Sequence, residues 1–126
     1  MTEYGFSVRV DESRNVMYIT QWGRPSADDL RRLKDGFLAA VGPLRPGFTL
    51  VNDQRQMKSF DEEAMEVAKE LVEESNKAGL SRVIRIVPDS LVAKVRLSRT
   101  LVSAGFRYED IRVGTPEEAE EILSEG

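Results

Sequence analysis

The sequence predicts a mixed α/β fold in the order ββαβαβαβα, an N-terminal β-hairpin followed by βα units. Three observations carry that reading. Phe6, Val8 and Val10 alternate with Ser7 and Arg9, the period-two pattern of a half-buried strand. Short apolar runs at 48–51, 83–87 and 111–113 are bounded by turn-forming residues, and stretches of helical period lie between them. Capping and breaking residues flank those helical stretches at the positions where helices start and stop.

Each element follows from its residues. After the first strand, Asp11-Glu12-Ser13-Arg14-Asn15 is a polar turn, and Val16 to Trp22 is a second β-rich run, so the two form a hairpin. Gly23-Arg24-Pro25 breaks the strand. Ser26 then caps a helix whose first turn carries Asp28 and Asp29, where the helix dipole favours negative charge. Leu30, Leu33, Phe37 and Val41 give that helix one apolar face, and Gly42-Pro43 ends it. Phe48 to Val51 reads as a buried central strand ending at Asn52-Asp53, with a polar loop from Gln54 to Lys58. Ser59 with Glu62 three residues on has the form of a capping box. Ala64, Met65, Ala68, Leu71, Val72, Ser75 and Ala78 mark the long amphipathic helix that follows, closed by Gly79.

Val83 to Val87 is the next strand, stopped by Pro88. Asp89 or Ser90 caps a third helix with Leu91, Val92, Val95, Leu101 and Val102 on its core face, ending at Gly105. Ile111-Arg112-Val113 has the length of an edge strand. Thr115-Pro116-Glu117-Glu118 opens a last helix with a cap, a proline in its first turn and two acids. Right-handed crossovers then give a mixed, mostly parallel sheet with the helices mainly on one face. Arg9, Arg85 and Arg112 each interrupt an apolar strand. On a sheet covered on one side only, they are expected to point away from the helices as a basic stripe.

The 126 residues fit one domain, 1–126, long enough to bury a core without staples. There is no cysteine and no histidine, which excludes disulfides, thiolate chemistry and imidazole bases or ligands and leaves only a carboxylate site for a hard cation. No cofactor and no metal are expected. The opening residues show no basic segment leading into an apolar core, so no signal peptide is expected, and no apolar run approaches the roughly 20 residues of a membrane span. A cytoplasmic location fits. A net charge of −4 argues against nucleic acid as a partner. The charge is uneven: 61–74 holds seven acids and one base, whereas 77–112 holds eight bases and three acids. Such a chain can pair with a protein partner or a second copy by charge, although solvated helix faces give the same pattern.

The element order, with Trp22-Gly23-Arg24-Pro25-Ser26-Ala27-Asp28-Asp29-Leu30 opening the first helix, resembles the SpoIIAA-like proteins. These are relatives of the STAS domains, the anti-sigma-factor antagonists, and lie near the SEC14-like lipid-binding domains. The resemblance covers nearly the whole chain and is one of element order and apolar pattern. It implies a SpoIIAA/STAS-like domain that acts as a regulatory protein-interaction module. In such proteins the loop after the central strand presents a phosphorylatable serine at the next helix, within an aspartate, two serines and a glycine. Here the corresponding stretch is Lys58-Ser59-Phe60-Asp61-Glu62-Glu63, with one serine and no glycine, so the resemblance makes Ser59 the candidate phosphosite.

Two further groups stand out. Asp53, Gln54 and Arg55 follow the central strand, and Asp89 and Ser90 follow the next one. Ligands bind at that end of open α/β sheets, so these five form a candidate crevice. Arg9, Arg85, Arg112 and the single tryptophan, Trp22, form a candidate interaction face. No phosphate loop, dinucleotide fingerprint or hydrolase elbow is present, and no catalytic residue is assigned. The sequence therefore points first to a non-enzymatic protein-interaction module. The alternative is a domain for a small apolar or lipid ligand. An enzyme using carboxylate and arginine residues at the strand ends is third.

Overall fold

A computed structural model describes residues 3–58, 61–87 and 108–125. Its strands are β1 (Gly5–Asp11), β2 (Val16–Gly23), β3 (Thr49–Met57), β4 (Arg82–Ile86) and β5 (Glu109–Val113). Its helices are α1 (Ala27–Ala40), α2 (Glu62–Ala78) and α3 (Pro116–Ser124). The five strands form one sheet in the order β1-β2-β3-β4-β5. β1 and β2 are antiparallel and every later pair is parallel. The helix expected over 91–105 lies outside the described residues.

The hairpin turns on Asn15, the one non-glycine residue with positive φ among the described residues (58°), a conformation that asparagine tolerates better than most. Its side chain also locks the turn to the loop ahead of β3. Arg45 N–H donates to Asn15 Oδ1 at 2.8 Å, Asn15 Nδ2 donates to the Arg45 carbonyl at 3.3 Å, and Thr49 N–H donates to the Asn15 carbonyl at 3.1 Å. At the start of α1, Asp29 N–H donates to Ser26 Oγ at 3.1 Å and Ser26 N–H donates to Asp29 Oδ2 at 2.9 Å, a closed capping box. Burial works against the Asp29 charge, but those Ser26 bonds and the Arg32 guanidinium outweigh it and hold the carboxyl below its ordinary value.

Two boundaries differ from the sequence expectation. β3 does not stop at Asp53 but continues through the presumed loop to Met57, because β2 supplies a partner that far: Trp22 pairs with Gln56 and Gly23 with Met57 beyond a register shift. And α2 is capped by Asp61, whose Oδ1 accepts from Ala64 N–H at 2.9 Å, rather than by Ser59. At the other end Gly79 takes φ 94°, and a Cβ there would lie 3.0 Å from the Pro46 backbone, so the position demands glycine twice over.

The pairing sorts the side chains onto two faces. Val8, Ile19, Asn52, Arg85 and Arg112 stand in one line across the sheet, and Arg9, Tyr18, Val51, Ile84 and Ile111 in the next. Neighbouring lines point to opposite faces. α1 and α2 cover the first face, where Met17, Ile19, Leu33, Phe37, Phe48, Leu50, Val67 and Val83 form the main core. Ala119, Ile122 and Leu123 of α3 pack on the second face against Val16, Val51, Ile84, Ile86 and Val113. Helices therefore lie mainly, not wholly, on one side.

Candidate functional site

The α1/α2 face carries a line of buried polar side chains where the rest of that face is apolar. Tyr4 Oη donates to Gln21 Oε1 at 2.8 Å, and Gln21 Nε2 donates to Asn52 Oδ1 at 2.8 Å. Further along, Arg85 Nε donates to Asp110 Oδ1 at 2.9 Å, and Arg112 Nη2 donates to Asp110 Oδ2 at 2.6 Å. Arg85 Nη1 also faces Gln54 Oε1 at 3.5 Å. Arg85 is 4% exposed, and a guanidinium that deep is tolerable only because a carboxylate meets it. Burial pushes the Tyr4 phenol well up, with the Asp29 charge adding to the shift. Burial also raises the Tyr108 phenol, against the charge of Arg85. Above these groups lies a cavity of about 90 Å³, walled by Gln21, Asn52, Gln54 and Arg85 from the sheet and by Leu30 and Phe37 from α1. That room is well under the about 300 Å³ at which pockets for drug-sized ligands begin.

The opposite face is different over β1 to β3. Ser7, Arg9, Thr20 and Trp22 are exposed there. The Arg9 guanidinium sits 3.8 Å from the centre of the Tyr18 ring, a cation–π contact. Tyr18 Oη donates to Glu120 Oε1 at 3.0 Å, and Arg14 donates both to Tyr18 Oη at 2.9 Å and to Glu120 Oε2 at 3.0 Å, which ties the hairpin to α3. Arg55 grips Asp53 with two bonds, Nε to Oδ1 at 3.0 Å and Nη2 to Oδ2 at 2.7 Å. Burial opposes the Asp53 charge, yet the Arg55 bonds hold its carboxyl below the ordinary value. Trp22, 38% exposed, lies over Gly5, where any Cβ would come within 2.4 Å of the indole. A shallow cleft of about 170 Å³ runs between this face and α3, lined by Arg9, Tyr18, Thr20, Asp53, Pro116 and Glu120.

Neither sequence-derived group is assembled as expected. The basic stripe is split by strand parity: Arg9 lies on the α3 face, whereas Arg85 and Arg112 lie on the α1/α2 face, with Arg85 in the interior. Trp22 accompanies Arg9 only. The crevice is split in the same way. Asp53 and Arg55 are strand residues on the α3 face, and Gln54 between them is buried on the other side (6% exposed). Ser59, Asp89 and Ser90 lie outside the described residues. Sequence reasoning missed Gln21, Asn52 and Asp110. The available signal was a polar residue at a core-facing position of an otherwise apolar strand.

No protein-family model matches this sequence, and no curated protein matches it. Solved structures do. An uncharacterised Shewanella loihica protein of the DUF3478 family, described as having a SpoIIAA-like fold, superposes with a TM-score of 0.77 at 13% identity, over 98% of this chain and 97% of its own. The chain has a SpoIIAA-like fold. The anti-sigma factor antagonist SpoIIAA in its unphosphorylated form matches with a TM-score of 0.62 at 14% identity, over 97% of this chain and 99% of that one. The Bacillus cell fate determinant SpoIIAA in its phosphorylated form matches with a TM-score of 0.59 at 19% identity, over 94% and 99%. At such identity the SpoIIAA-like arrangement is what is shared, and the polar line and the exposed face are read from this chain's own residues. Among the described residues no helix is long and apolar enough to cross a membrane. Among them, too, no group of three or more acidic side chains is placed to hold a metal ion.

Proposed function

We propose that this chain is a non-enzymatic protein-interaction module of the anti-sigma-antagonist kind, binding its partner through the open face of β1 to β3. The observation that carries this reading is Trp22, a large aromatic side chain left 38% exposed and seated over Gly5. Fixed, half-exposed tryptophans and arginines are the side chains that anchor protein interfaces, because they bring a large apolar area and lose little rotamer freedom. Ser7 and Thr20 stand next to Trp22 on this face, and Arg9 over Tyr18 and the Asp53–Arg55 pair continue it with polar groups, the composition of an interface rim. The fold shared with SpoIIAA supports the same reading. Its regulatory part rests on Ser59, two residues ahead of the Asp61 cap in sequence. A phosphate there would place negative charge beside Asp61, Glu62 and Glu63 and alter that end of the molecule by repulsion.

The test is affinity capture from the native host with the full chain, comparing wild type with Trp22→Ala and Leu38→Ala. Leu38 is the control, an exposed apolar residue on α1. A partner should be retained by wild type and by Leu38→Ala, and its affinity should fall about 30-fold or more in Trp22→Ala, the loss expected of an interface anchor. Equal retention by all three proteins would dismiss this face. Phosphopeptide mapping of the same material reports on Ser59.

A further inference from the structure

A strand at the end of a sheet displays a row of backbone N–H and C=O groups that another strand can pair with. Folded proteins blunt such edges with proline, lysine, a bulge or a short strand. β1 has none of these. It ends the strand order with β2 as its one paired strand among the described residues, it is seven residues long, and its pairing with β2 runs unbroken from Gly5 to Asp11. It contains neither proline nor lysine. Its core-facing side chains are incompletely covered. Tyr4, Phe6, Val8 and Val10 pack against the main core but stay partly exposed, whereas Met17 and Ile19 on β2 are buried.

The charges along this edge are self-complementary. The chain still runs beside β2 at Glu3, whose backbone abuts Gly23. Glu3 and Arg9 are both exposed, and strand parity puts them on the same sheet face, at equal distances on either side of Phe6. Arg9 rests on the Tyr18 ring, and neither Glu3 nor Arg9 has an ion-pair partner among the described residues. A second copy turned about a two-fold axis normal to the sheet runs antiparallel to β1 and keeps its helices on the same side. Centred on Phe6, that pairing sets Glu3 of each copy opposite Arg9 of the other, Tyr4 opposite Val8, and Phe6 opposite itself. Opposite charges and aromatic pairs across strands are favourable. The neighbouring registers lack this match. Centring on Ser7 sets Glu3 against Asp11, centring on Val8 sets Arg9 against Ser7, and centring on Arg9 sets that base against itself.

We propose that residues 3–9 form a self-association edge, pairing antiparallel with the same segment of a second copy in the register centred on Phe6, so that two sheets join into one. The contact uses the edge of β1 and not the face that carries Trp22, so it stands or falls independently of the interaction reading.

The experiment is sedimentation velocity of the full chain from about 5 to 500 µM, where wild type should show a monomer–dimer equilibrium with a Kd of about 100 µM or tighter. Glu3→Arg sets two bases opposite each other at both ends of the contact, and Arg9→Glu sets two acids there. Each should weaken the dimer about ten-fold or more, and the double variant should regain wild-type association. Amide hydrogen exchange in β1 should slow as the dimer forms, while exchange in β5 stays unchanged. Arg9→Glu also removes the Tyr18 contact. If variants carrying it do not fold, Glu3→Arg, at an exposed position ahead of β1, decides alone. A single monomer mass for wild type across the range would overturn the proposal. So would a dimer undiminished by Glu3→Arg, or a folded double variant that associates no better than the single ones.

Discussion

Arg85 and Arg112 stand side by side on neighbouring parallel strands, and like charges at that spacing repel unless a third group bridges them. Asp110 is that group, two residues before Arg112 on the same strand and therefore on the same face. Its two oxygens serve one guanidinium each. Asp110→Asn would keep the shape and remove the carboxylate charge that meets both guanidiniums, one of them buried. The expected loss is about 3–5 kcal/mol of unfolding free energy, read as a lower urea midpoint. A variant as stable as wild type would show that Arg85 does not depend on Asp110. The sequence makes Arg85 conspicuous as a charge inside an apolar strand. It does not tell which way that charge points, because moving one residue along a strand reverses the face, and the odd or even placement is set by pairing with distant strands.

At the scale of elements, local signals were read correctly where the partners lie within one turn. Ser26 and Asp29 close their box over three residues, and Thr115 with Pro116 opens α3 as its sequence announces. The start of α2 shows the limit of that logic. Ser59-x-x-Glu62 matches the capping-box pattern, yet Asp61 holds the cap. Several good capping residues lie within three positions there, and packing of Ala64, Val67 and Ala68 into the core selects which one begins the helix. Asp61→Ala should therefore cost about 1 kcal/mol, whereas Ser59→Ala should stay within about 0.5 kcal/mol of wild type in thermal or urea unfolding. The reverse ranking would return the cap to Ser59. β3 was read as too short for a related reason. Gln54 to Met57 lack an alternating apolar pattern, and they are strand because β2 runs alongside them.

Across the whole molecule, titration follows from the inventory of groups. The sequence has no histidine, and Asp29 and Asp53 are both held below the ordinary carboxylate value in the folded protein. A depressed folded pKa means that the unfolded chain binds the proton first. The stability these two groups contribute is thus complete above about pH 4–5 and is lost as pH falls through their folded values. Urea midpoints should be nearly level from about pH 5 to 8 and drop below about pH 4, with a shallower drop in Asp29→Asn. A steep change near neutrality would contradict this, and would require a buried group that titrates there.

Among the described residues, the sequence by itself determined the order of elements, the hairpin, the parallel progression of strands and most of the core residues, because periodicity, turn chemistry and caps act over a few residues. That information suffices for a SpoIIAA-like fold, shared at TM-score 0.77 with a protein only 13% identical. Tertiary structure alone decided which face each arginine occupies and that Asn15 locks the hairpin to the Arg45 loop. It also decided that Gln54 turns inward while Asp53 and Arg55 turn out, and that Asp110 bridges two guanidiniums over a cavity. The facing of each strand residue depends on register between paired strands, and a single-residue slip in that register would invert it.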